Sequence, residues 1–78
     1  MSEPVIDEIL DASGMPCPLP LLKAKQALNR LAPGQVLKVL ATDAGSIRDI
    51  KAYTEQSDHV LLESFTDAEP YVYIIRRG

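Results

Sequence analysis

The sequence predicts an α/β (α+β) fold: a two-layer sandwich in the order β-α-β-α-β-β, with a mixed four-stranded sheet and two helices on one of its faces. Three observations carry that expectation. Four short runs rich in Val, Ile, Leu and Tyr alternate with two stretches of helical periodicity. The first strand, helix and strand occupy about 38 residues, a length that suits a right-handed crossover between parallel strands. The last two runs are separated only by Thr66-Asp67-Ala68-Glu69-Pro70, which makes them an antiparallel hairpin.

Residues 5–10 are short, β-branched and followed by Asp11 and Gly14, so they read as a first strand leading into a loop. From 18 to 31, Leu21, Ala24, Ala27, Leu28 and Leu31 recur at helical spacing, with Lys23, Lys25, Gln26, Asn29 and Arg30 on the other side. Pro33-Gly34 closes that helix. Residues 35–42 are apolar almost throughout except at Lys38, which indicates a central strand beside the first. Asp43-Ala44-Gly45-Ser46 is a turn, and Ser46 with Asp49 has the spacing of a capping box opening a second helix. Its apolar stripe is Ile47, Ile50, Tyr53 and Thr54, and it ends near Gln56-Ser57-Asp58. Runs 59–65 and 71–77 complete the sheet. With both helices on one face the other is partly open, and some of Tyr71, Val72, Tyr73 and Ile75 are expected there.

Composition narrows the function classes. A chain of 78 residues that is 46% hydrophobic is read as one small domain over residues 1–78, burying roughly 60% of its unfolded surface. One cysteine excludes an internal disulfide and a multi-cysteine zinc site, and suits a reducing cytoplasm. Residues 1–8 hold three acids and no apolar run, so no signal peptide is expected. Nowhere is there a continuous apolar run of membrane-spanning length, roughly 18 residues, so no membrane association is expected either. A net charge of −3 weighs against direct nucleic-acid binding. The bases are nonetheless unevenly placed: Lys23, Lys25 and Arg30 on the first helix, Arg76 and Arg77 at the end of the last strand. They are either ordinary solvated faces or a docking surface for an acidic partner.

Chemistry concentrates in Gly14-Met15-Pro16-Cys17-Pro18-Leu19-Pro20. Proline lacks an N–H and fixes φ near the helical value, so Pro18 and Pro20 read as the first and third helical residues. Cys17 then falls at the N-cap, with Pro16 holding the preceding chain extended. There the sulfur would face the positive end of the helix and the unpaired amides of Leu19 and Leu21, which favours thiolate. An ordinary thiol is about 3% ionised at pH 7, and a shift to about 7 would make it roughly half ionised. The expectation is an exposed, activated nucleophile at the C-terminal edge of the sheet.

Other candidates are weaker. His59, the only histidine, begins a strand that should start at the edge opposite the thiol. One cysteine and one histidine do not close a tetrahedral metal site, so no metal and no cofactor is expected. Asp11 and Asp43 end strands on the thiol's edge, where they orient loops or accept the thiol proton. A carboxylate close to Cys17 would raise its pKa and oppose the helix dipole.

Leu10-Asp11 through Gly14 to Cys17-Pro18-Leu19-Pro20, the following Leu-Leu-Lys-Ala, Pro33-Gly34, Thr42-Asp43 through Asp49-Ile50, and the closing Tyr73-Ile74-Ile75-Arg76-Arg77-Gly78 resemble the TusA/SirA-like sulfur-carrier family. The likeness covers nearly the whole chain. Its most specific part is Cys-Pro-x-Pro after Asp-x-x-Gly; the chain departs from the family's pattern at Ala44 and Lys51, where many members carry proline. The resemblance implies the same two-layer fold and a cysteine, here Cys17, that accepts sulfane sulfur as a persulfide from a cysteine desulfurase. It also implies a downstream acceptor protein, notably toward tRNA 2-thiouridine formation, with Asp11, Gly14, Pro16, Pro18 and Pro20 shaping the site. Such a protein is a carrier, sulfurtransferase-like, more than an enzyme with a substrate pocket. Two other readings stay open at this point: a regulatory or RNA-associated α/β module, and a peroxide-sensing thiol.

Overall fold

The computed structural model describes residues 5–78. Of the acidic segment read as lacking a signal peptide, residues 1–4 lie outside the described residues. The elements are β1 (Glu8–Ala12), α1 (Leu19–Arg30), β2 (Val36–Ala41), α2 (Gly45–Glu55), β3 (Val60–Phe65) and β4 (Tyr71–Arg76). They form one four-stranded sheet in the order β1-β2-β4-β3, with β1 parallel to β2 and β4 antiparallel to both of its neighbours. This is the predicted mixed sheet and the predicted order.

Register explains where the boundaries moved. β1 pairs Glu8 with Leu37 through Ala12 with Ala41, so it starts later than expected and carries Asp11 within it. Pairing continues to Ala12 because its side chain, fully buried, belongs to the core face. On that face, Leu37, Val39 and Ala41 of β2 and Tyr73 and Ile75 of β4 pack with Ala24, Ala27, Leu28 and Leu31 from α1 and its end, and Ile50 from α2. Tyr73 and Ile75 are therefore not on the open face, and Tyr71 packs against the same core. Of the four residues from which the open face was expected to draw some, Val72 lies there, since it pairs with Leu40 and alternates with Tyr73. Its companions are Ile9, Leu40, Ile74 and Phe65, placed by the same alternation. A bulge between Leu61 and Glu63 shifts the register of β3.

The helices differ from expectation at their starts. α1 begins at Leu19 with Pro18 at the N-cap, and Pro20, fully buried, anchors its first turn in the core. α2 has no side-chain cap: Ser46 is buried inside the first turn, where its Oγ donates to Asp43 O at 2.7 Å and meets the Tyr73 hydroxyl at 2.8 Å. The expected Ser46/Asp49 capping box does not form. Ile47 is 37% exposed, so the buried stripe of α2 is Ser46, Ile50 and Thr54.

Candidate functional site

The loop after β1 is built by short-range bonds that its residues dictate. Asp11 Oδ1 accepts from Ser13 N at 3.0 Å, closing an Asx turn. Those Ser13 contacts hold the Asp11 carboxyl below the usual carboxylate range. Met15 N donates to Ala12 O at 3.2 Å, and Gly14 takes φ of +81°, a left-handed value that glycine adopts freely. Gly14 N reaches across to Thr42 Oγ1 at 2.8 Å, tying the loop to the end of β2. Asp11 thus orients the loop and makes no contact with the sulfur.

Cys17 is exposed, and it sits in the turn one residue before the N-cap, not at the cap itself. The shift has a cause: Leu19 N donates to Pro16 O at 2.9 Å and Leu22 N to Pro18 O at 3.1 Å, so the chain turns once before the helix runs. The Leu19 amide expected to face the sulfur is consumed by that turn. The thiol finds a different partner. Sγ donates to Asp49 Oδ2 of α2 at 3.1 Å, while Asp49 Oδ1 meets Arg48 Nε at 3.5 Å.

That hydrogen bond raises the thiol pKa above its ordinary value. Partial desolvation and the negative charges of Asp49 and Asp43 push the same way, and Arg48 opposes them. The expected activation by the helix N-terminus is overturned: exposure holds, standing ionisation does not. Gly45, which opens α2, makes the crowding possible. A Cβ there would lie 2.8 Å from Asp43 Oδ2 and 3.3 Å from Cys17 Sγ. Asp43 Oδ2 is itself buried and, among the described residues, without a hydrogen-bond partner.

The first turns of both helices flank the thiol with exposed apolar groups: Leu19 and Leu22 of α1 and Ile47 of α2. Lys23 and Arg48 are exposed alongside them. The other bases do not join this surface. Arg30 lies at the opposite end of α1, about 16 Å along the helix axis from Leu19, and pairs with Glu8 at 2.7 Å. Arg76 ends β4, paired with Val36 at the start of β2, and Arg77 follows it, at the far edge of the sheet from Cys17. Lys25 is drawn over the Tyr53 ring, 5.0 Å from its centroid. The single basic docking surface is therefore divided, because α1 and β4 both run away from the thiol. His59 accepts from Gly78 N at 3.0 Å and lies on that same far edge, where its strand was expected to start.

The residues that sequence reasoning missed are Asp49 as the thiol's partner, Gly45, Arg48, and the exposed Leu19, Leu22 and Ile47. Leu19 and Leu22 carried a signal, since they fall outside the stripe of Leu21, Ala24 and Leu28. Asp49 and Gly45 carried none that separates them from helix-capping residues. Among the described residues there is no cluster of three His, Cys, Asp or Glu side chains placed to hold a metal, and no helix is long and apolar enough to cross a membrane.

The sequence model of a family described as Sulfurtransferase TusA matches residues 8–77. The chain is 45% identical over 72 residues to the sulfur carrier protein TusA of Allochromatium vinosum, covering 92% of this chain and 95% of that protein. It is 39% identical over 72 residues to YrkI of Bacillus subtilis, covering 92% of this chain and 96% of the relative. A SirA-like protein from Desulfitobacterium hafniense, known from a crystal structure, superposes with a TM-score of 0.72 at 26% identity, covering 88% of this chain and 93% of that one.

Proposed function

The chain belongs to the TusA sulfurtransferase family, and from that premise we propose that it is a sulfur carrier whose cargo rides on Cys17 as a persulfide. A cysteine desulfurase is the donor, and a downstream acceptor thiol, in a pathway such as tRNA 2-thiouridine formation, takes the sulfur on. The reducing cytoplasm is where such a thiol would work. Loading is balanced without a redox cofactor. The Cys17 thiolate attacks the outer sulfur of a donor hydropersulfide R–S–SH, a new S–S bond forms at Cys17 as the donor's own S–S bond breaks, and R–S⁻ leaves with the bonding pair and picks up the proton lost from Cys17.

The single observation that carries this proposal is the exposed Sγ of the chain's only cysteine at the rim of the sheet, between the first turns of two helices. A donor's reacting sulfur can reach it without entering a cleft. Leu19, Leu22 and Ile47 around it offer apolar contact to a docking protein, with Lys23 and Arg48 beside them. Asp11, Gly14, Pro16, Pro18 and Pro20 hold the loop that presents the sulfur. Because the Asp49 contact raises the thiol pKa, the Cys17 proton has to be given up for the attacking thiolate to form.

The test is direct. Protein incubated with a cysteine desulfurase and cysteine should gain one sulfur atom by intact-mass measurement, and Cys17→Ser should gain none. No gain in the parent protein, or an equal gain in Cys17→Ser, removes the proposal.

A further inference from the structure

An exposed thiol on a carrier meets every electrophile in its surroundings, not only its donor. Here Sγ is not free: it donates to Asp49 Oδ2 at 3.1 Å, across the gap between the loop and α2. The Asp49 side chain is 19% exposed and braced by Arg48 at 3.5 Å, and Asp43 adds a second carboxylate on the same side. We propose that Asp49 guards the empty carrier: its carboxylate holds the Cys17 proton, slows reaction of the bare thiol with indiscriminate electrophiles, and lets go when sulfur is loaded.

The release follows from valence. In Cys17–SH the Sγ carries the proton that Asp49 accepts. In Cys17–S–SH, Sγ is bonded to carbon and sulfur and has no proton to give, so this hydrogen bond cannot survive loading. If the outer sulfur is ionised, its charge is also repelled by Asp49 and Asp43 and favours a position turned outward. Among the described residues, Arg48 is the cation whose charge acts on the thiol from the other direction. An empty and a loaded carrier would then present different surfaces at the start of α2, while the fold stays the same. The guarding half stands on the thiol geometry alone; the release half rests on the carrier proposal.

Asp49→Asn keeps the shape and removes the charge. The pH profile of iodoacetamide alkylation at Cys17 should have its midpoint lowered by about one unit in Asp49→Asn. Thiolate at pH 7 then rises about tenfold, offset about threefold by the lower nucleophilicity of a more acidic thiol, so alkylation is roughly threefold faster. Asp43→Asn should shift the midpoint the same way by less, and Arg48→Ala should shift it upward. A purely structural role for Asp49 would leave the midpoint in place; an unchanged or raised midpoint in folded Asp49→Asn overturns the guard. For release, the protein is loaded chemically with inorganic polysulfide and the Asp49 side-chain carboxyl resonance is followed by NMR. It should move on loading in the parent and be unaffected in Cys17→Ser; no movement in parent protein shown by mass to carry the sulfur overturns the release. Failure to take sulfur from a desulfurase would count against the carrier proposal and leave the alkylation result standing.

Discussion

Ser46→Ala tests how the site is tied to the core. Ser46 is 2% exposed, and its Oγ joins three parts of the chain: it donates to Asp43 O at 2.7 Å, meets the Tyr73 hydroxyl at 2.8 Å, and sits in the first turn of α2, which carries Asp49. Removing it leaves the Tyr73 hydroxyl, on a residue 1% exposed, without a partner. A buried group stranded in this way costs about 1–3 kcal/mol. Asp43 O loses less, because Ser46 N still donates to it at 3.0 Å. About 2 kcal/mol is expected for Ser46→Ala, which lowers Tm by roughly 8–16 °C in a domain of this size. Tyr73→Phe strands nothing, since Ser46 Oγ keeps Asp43 O, and should cost about 1 kcal/mol. The double variant should cost about 2 kcal/mol, one less than the sum. Urea unfolding followed by circular dichroism, with the slope unchanged between variants, gives all three values. Additivity within about 0.3 kcal/mol, or a Ser46→Ala cost below about 0.5, would refute the shared hydrogen bond as the tie between α2 and β4.

Gly45→Ala places a Cβ 2.8 Å from Asp43 Oδ2 and 3.3 Å from Sγ, so the carboxylate must rotate; the expected result is an altered Cys17 alkylation midpoint with global stability changed by less than about 1 kcal/mol, and an unaltered midpoint contradicts the crowding described. Leu28→Ala empties a fully buried site in the centre of the helix-to-sheet core and should cost about 2–5 kcal/mol, enough to unfold much of the population at 37 °C; a loss under about 1 kcal/mol by urea titration counts against that core. Burial lifts the Tyr73 phenol above its ordinary value, against the Ser46 hydrogen bond that lowers it, and the Asp49 contact lifts Cys17. Both groups lose their protons more readily unfolded, so their contribution to stability is complete below the ordinary thiol and phenol values and is lost as pH rises through the folded ones. Urea midpoints should therefore fall above about pH 9, and less steeply in Cys17→Ser/Tyr73→Phe. Arg30→Ala, which breaks an exposed pair with Glu8, should change stability by no more than about 1 kcal/mol and leave sulfur loading untouched.

The loop and its thiol were legible because they rest on local chemistry. Proline, which lacks an N–H and fixes φ, acts within a few residues, so the order of residues from Asp11 to Pro20 placed the thiol next to a helix start, while the Asx turn at Asp11 and the positive φ of Gly14 came from the structure. The order of elements followed from period and spacing, and the parallel β1/β2 pair followed from the length of the crossover between them. His59 fell on the far edge for the same reason.

What crosses the chain was not legible. Ser46 and Asp49 have the spacing of a capping box, and no local rule says that Ser46 will turn inward to Tyr73 while Asp49 turns outward to Cys17, 32 residues away. A helix dipole can be read from a sequence, but a carboxylate brought to 3.1 Å by another helix cannot, and its hydrogen bond is the largest cause of the raised thiol pKa. The face of β4 was open to the same error: alternation says that Val72 and Tyr73 point opposite ways, and only the packed helices decide which way is in. Sequence alone settled which atom is exposed and where on the sheet it stands, since both are consequences of short-range geometry. Packing of α2 against the loop decided its protonation, since charge responds to whatever the fold places within a few ångströms.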